Sequence, residues 1–160
     1  MDTNIKIGFW NYVPTGDIDN KQAVADWETM GFNLPFSWDY DEEKHDKKEF
    51  LSMLDECAKR NMKVIVSDAR TLWKNLTEKG EEEYIKGVER AIKDFGAHSA
   101  VFGFHIGDEP TKEQMPDMIK AYRIVKEKAP NLSPFINHLP YWEDFADKKA
   151  YDEHVAFLDD

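Results

Sequence analysis

The chain has 160 residues, 41% of them hydrophobic and 13% aromatic, which supplies one ordinary core and argues against disorder. Its 32 acidic and 21 basic residues give a formal net charge of −11, which repels phosphate backbones and anionic headgroups, so no nucleic acid and no membrane partner is expected. The apolar runs are far shorter than a membrane span, and Met1 leads almost directly into a strand-like segment. A cytosolic protein is expected, or one whose leader has been removed. Cys57 is the single cysteine and lies in a helical apolar pattern; it reads as a small core residue rather than a nucleophile.

Two periods alternate along the chain. Residues 5–12 are β-branched and aromatic and stop at Val13-Pro14-Thr15-Gly16, the first expected strand. A helix follows over 20–30, with Val24, Trp27 and Met30 on one side and Gly31 just past its end. Residues 32–38 form the second strand, although Pro35 removes a ladder donor. The helix over 47–60 carries Phe50, Met53, Leu54, Cys57 and Ala58 as one inward stripe. Residues 63–70 form the third strand, and 71–77 a loop holding Trp73. The next helix, 81–95, turns Ile85, Val88, Ile92 and Phe95 inward and places acids in its first turn, as the helix dipole prefers. After the fourth strand, 101–110, a helix over 112–128 uses Met115, Met118, Tyr122, Val125 and Ala129 and is ended by Pro130. The fifth strand is 133–139, running into Pro140-Tyr141-Trp142, and 148–157 begins another helix.

Strands alternating with amphipathic helices imply right-handed βαβ units and a parallel sheet in sequential order. Two architectures fit: an open doubly wound sheet, complete in five strands, or the first five strands of an eight-stranded barrel, which needs roughly 250 residues. The turn over 11–17 has no glycine-rich phosphate cradle, which argues against a dinucleotide-binding fold. An open sheet lines only its switch point with polar groups, whereas here all five strands end in them. The expectation is therefore an α/β, TIM-barrel-like parallel (β/α) barrel, incomplete at about five strands, in a single domain spanning 1–160.

The fourth strand is central. Alternation puts Phe102, Phe104 and Ile106 on one face and Val101, Gly103, His105, Gly107 and Glu109 on the other. Pro110 stops the pairing and biases Glu109 toward extended backbone at the strand's carboxyl end, and Thr111, three residues ahead of Gln114, reads as the next N-cap. His105 reads as a hydrogen-bonded core histidine. The strand ends together supply Trp10, Asn11 and Tyr12; Trp38 and Asp39; Asp68 and Arg70; Asp108 and Glu109; and Asn137 and His138 with Tyr141 and Trp142. Carboxylates to move protons, amides and imidazole to hold hydroxyls, and flat rings to cover sugar faces are what a glycoside site requires. Asn11, Trp38, Asp68, Asp108, Asn137, His138 and Tyr141 are thus candidate substrate-binding residues. Asp68 with Arg70 reads equally well as a plain ion pair.

Gly107-Asp108-Glu109-Pro110 closing the fourth strand and Asn137-His138-Leu139-Pro140 closing the fifth resemble the retaining (β/α)₈ glycoside hydrolases of clan A. In that clan a fourth-strand Asn-Glu-Pro carries the general acid/base, so the resemblance gives Glu109 that role, with a carbohydrate substrate and no cofactor or metal. Asp108 stands where the clan usually has Asn, and it adds a negative charge beside Glu109. The clan's nucleophile lies on strand seven. The resemblance therefore implies that the C-terminal half of the barrel belongs to the full-length protein and that residues 1–160 alone lack glycosidase activity. Two other readings stand beside it. One is a metal-dependent barrel hydrolase or isomerase using Asp68, Asp108 or Glu109, and His138. The other is a non-catalytic sugar-binding or flavodoxin-like module.

Overall fold

Three of the five apolar runs build the sheet. In a computed structural model, which describes residues 5–11 and 19–138, β1 (Val64–Val66), β2 (Val101–Asp108) and β3 (Ser133–Asn137) pair in parallel in the order β1-β2-β3. On the far side of β1 runs segment 33–40, where Phe36 bridges to Ile65 and Tyr40 to Asp68, both parallel. Beyond it lies segment 5–11, whose Ile7 and Phe9 carbonyls accept from Asn33, Leu34 and Phe36 N–H groups. The five expected strands thus lie side by side in sequence order. The first two, however, do not form regular strands. Pro35 has no N–H to give the ladder, and the Asn33 side chain takes its place, accepting from Ile7 N–H at 2.9 Å and donating to the Ile5 carbonyl at 2.8 Å. Gly8 permits this approach, since a Cβ there would lie 2.2 Å from the Leu34 carbonyl oxygen.

Helices α1 (Asn20–Thr29) and α2 (Lys47–Lys59) start at Asp19 and Asp46, whose carboxylates accept first-turn backbone N–H groups. Gly31, at φ 85°, turns the chain after α1. Val24 and Trp27 are buried as expected, but Met30 is 63% exposed because the helix has ended at Thr29. The expected loop at 71–77 instead contains a 3₁₀ turn (Ala69–Thr71) and the short helix α3 (Lys74–Lys79). Helix α4 (Glu81–Ala91) follows Gly80 and runs into one π turn, Ile92–Gly96. Helix α5 spans Met115–Lys128. It starts later than expected: Thr111 does not cap it directly, and Gln114 Oε1 instead accepts the Thr111 N–H at 2.9 Å, the reciprocal half of a capping box. The expected helix at 148–157 lies outside the described residues.

Two apolar clusters result. The larger packs Trp38, Phe50, Tyr84, Phe95, Phe104, Ile106 and Met118 with the helices. The smaller joins Leu34, Phe36 and Ile65 to Trp10, Phe102 and Phe135. Ile65 enters the second while Val64 and Val66 enter the first, as strand alternation demands.

Strand β2 departs from that alternation. Its partners run Val64–Val101 and Ile65–Gly103 on one side, and His105–Phe135 and Gly107–Ile136 on the other, so Phe102 and Ile106 are extra residues in two bulges. Phe102 therefore leaves the face of Phe104 and Ile106 and joins the smaller cluster. Gly107 likewise does not share the face of His105: a Cβ there would meet Trp73 and Met118 on the helix side, whereas His105 meets Trp10 and Phe36.

Candidate functional site

A cleft of about 360 Å³ opens where the strands end. Segment 5–11 supplies Trp10 and Asn11, segment 33–40 supplies Phe36, Ser37, Asp39 and Tyr40, the chain after β1 supplies Ser67 and Ala69, and β2 supplies His105 and Asp108. Asp41, Lys44 and His45 form one wall. That wall is folded on itself: Asp41 N–H donates to His45 Nδ1 at 2.9 Å, and Lys44 Nζ reaches Asp41 Oδ2 at 2.7 Å. The Lys44 bond and the Glu43 N–H hold the Asp41 carboxyl below its usual range.

The aromatic floor is ordered. Trp10 stacks on Phe36 with centroids 4.1 Å apart, and the His105 ring stands edge-on to both, at 5.1 and 5.5 Å. His105 is 7% exposed, and neither ring nitrogen closes a hydrogen bond of standard geometry among the described residues. The histidine is buried as expected, and the Gly107 backbone is its hydrogen-bonding neighbour. Burial pushes its pKa below 6.5, while the Gly107 backbone and the charges of Asp108 and Asp39 pull the other way, so the ring is neutral near pH 7.

The carboxylates are positioned by polar neighbours. Asp39 accepts from Ser67 Oγ at 2.6 Å, and Ser37 Oγ accepts the Ser67 N–H at 2.8 Å, which links segment 33–40 to the end of β1. Asp108 accepts from Asn137 Nδ2 at 2.7 Å. Glu109 is the next residue. It is exposed, its N–H donates to the Asn137 carbonyl at 2.8 Å, and its φ is 42°. The extended geometry expected from Pro110 is not adopted; the left-handed backbone costs a non-glycine residue roughly 1 kcal/mol, and such residues cluster at functional sites. Glu109 does not itself line the cleft.

The other candidates divide. Asn11 lines the cleft and is 7% exposed. Trp38 does not: flanked by Ser37 and Asp39, it turns the other way and packs edge-on to Phe50 at 4.7 Å, 2% exposed. Asp68 is completely buried and accepts from Arg70 Nε at 3.0 Å and Nη2 at 2.7 Å, the ion-pair reading. Arg70 also reaches Glu42 and Asp94, at 2.9 and 2.8 Å. Burial raises the Asp68 pKa against the pull of Arg70; burial also opposes the charge of Arg70, and its carboxylate partners more than offset this. Asn137 and His138 are half-buried outside the cleft lining, and Tyr141 lies outside the described residues. Ser37, Ser67, Lys44 and His45 were not anticipated. Ser37 had a signal, since it alternates with Trp38; the wall residues had none.

Among the described residues, no group of three or more His, Cys, Asp or Glu side chains is arranged to hold a metal ion, and no helix is long and apolar enough to cross a membrane.

No protein-family profile matches the chain, and no curated protein matches it. Solved structures do resemble it. A plant β-glucan endohydrolase superposes with a TM-score of 0.53 at 11% identity, covering 84% of this chain and 41% of that one. A GH2 β-galacturonidase from Eisenbergiella tayi, bound to galacturonate, gives 0.54 at 16% identity, covering 94% of this chain and 32% of its own. The chain is thus similar in fold to glycoside hydrolases and spans less than half the length of either. What is shared is a mixed α/β fold with a parallel sheet, compatible with part of a TIM-like barrel.

Proposed function

We propose that residues 1–160 are the N-terminal part, in one domain, of a (β/α)-barrel glycoside hydrolase of the retaining clan A type, with Glu109 as general acid/base. The observation that carries this reading is the convergence of aromatic rings and carboxylates, Trp10 and Phe36 with Asp39 and Asp108, on one cleft, with Glu109 the next residue after Asp108. Trp10 and Phe36 cover the apolar face of a sugar. Asp39, Asp108 and Asn11 hold its hydroxyls, Asn137 fixes Asp108, and His138 follows Asn137 outside the cleft lining. Trp38 and Asp68 are structural. The likeness in fold to a β-glucan endohydrolase and a β-galacturonidase supports carbohydrate as the substrate class. A retaining mechanism needs a second carboxyl about 5–5.5 Å from the acid, and we assign it to barrel strands outside residues 1–160. The test is hydrolysis of a panel of aryl glycosides by the full-length protein, with the product anomer followed by NMR. Release of sugar with retained configuration is expected; failure to cleave any glycoside overturns the proposal.

A further inference from the structure

The cleft holds two carboxylates without a cationic partner among the described residues, beside a buried imidazole. His105 is more than nine-tenths buried against the cleft, and among the described residues neither ring nitrogen closes a hydrogen bond of standard geometry, the Gly107 backbone being its polar neighbour. Asp39 and Asp108 both lie close enough to act on its charge. Asp39 accepts from the Ser67 hydroxyl and Asp108 from the Asn137 amide, and among the described residues neither forms an ion pair. Among the described residues lining the cleft the one lysine is Lys44, already tied to Asp41 at 2.7 Å. Beside these lie the Trp10 and Phe36 rings.

We infer that the cleft selects a carbohydrate bearing a protonated amine, an amino sugar, whose ammonium is seated by Asp39, Asp108 and the His105 imidazole. The inference rests on the carbohydrate reading of the cleft and names its substrate class. An ammonium brings three donors and no acceptor, which matches two carboxylates and the lone pair of a neutral imidazole. A hydroxyl bonded to a carboxylate brings charge on one side only, an ammonium on both, and aromatic faces attract the same cation. A sugar hydroxyl can donate one bond and leaves both carboxylates uncompensated. A uronic acid brings a third negative charge to the same place.

The full-length protein is titrated at low salt, by calorimetry, with the methyl β-glycosides of glucosamine, N-acetylglucosamine, glucose and glucuronic acid. The amino sugar should bind about tenfold more tightly than glucose, because the ammonium adds direct charge attraction to bonds that a hydroxyl already makes to the carboxylates, and glucuronic acid most weakly. The N-acetyl compound, of similar shape but uncharged, should lose the preference. Replacing both Asp39→Asn and Asp108→Asn should bring glucosamine toward glucose. Equal affinity of the wild-type protein for glucosamine and glucose, or an N-acetyl sugar that binds as well as the amine, overturns the inference and leaves the carbohydrate reading standing. Binding of none of the four overturns both.

Discussion

Asn137 donates from its amide to Asp108 Oδ1 at 2.7 Å, and its carbonyl accepts the Glu109 N–H at 2.8 Å. One residue at the end of β3 thus fixes both the side chain of Asp108 and the backbone of Glu109. Asn137→Asp sets two carboxylates against each other while keeping the backbone bond. It should cost about 1 kcal/mol, read as a lower urea midpoint, and Asp108→Asn in the same chain should recover that loss. An unchanged midpoint in Asn137→Asp would show that the contact contributes nothing.

Gly103 sits where β2 presses on β3. A Cβ there would lie 1.7 Å from the Ser133 carbonyl oxygen, a backbone atom that cannot swing away. Gly103→Ala should cost about 3 kcal/mol by urea denaturation, the upper end for overpacking. Gly31→Ala meets nothing within 4 Å and carries only the left-handed backbone cost, about 1 kcal/mol.

Arg70 compensates a carboxylate that water cannot reach. Arg70→Met strands Asp68 and should cost about 3–5 kcal/mol, and adding Asp68→Asn should return a large part of it. Equal stability of the single and double variants would contradict the ion-pair role.

His105 gives stability a pH dependence of known sign. Its pKa is lowered from 6.5 on folding, so between 6.5 and the lower folded value the unfolded chain binds more protons, and stability falls as pH drops through that window. His105→Gln should flatten the slope just below pH 6.5, measured by urea denaturation. Asp41, Glu42 and Asp94, whose carboxyls are held low, add their own losses at more acidic pH in both proteins.

The regular elements were legible because periodicity is local: the stripe Phe50, Met53, Leu54, Cys57 dictates the buried face of α2 whatever surrounds it. Helix α3 was invisible because six residues are too few to show a period. The bulges at Phe102 and Ile106 depend on register against β1 and β3, which are distant in sequence, and the left-handed turn at Glu109 runs against the bias of Pro110. For the same reason Asn11, Asp39 and Asp108 among the strand-end residues line the cleft whereas Trp38 and Asp68 do not: terminal position is readable, but which neighbour turns inward is settled by packing.

On the proposed reading, Glu109 delivers a proton to the leaving group. In the full-length protein, Glu109→Gln preserves volume but cannot donate it, so turnover should fall severely on glycosides with poor leaving groups and far less on those whose leaving group departs unprotonated. The measurement is kcat/KM for such a pair of substrates in wild type and variant. A loss concentrated on the poor leaving group is the predicted result; an equal loss on both substrates would contradict the assignment of Glu109 as the acid.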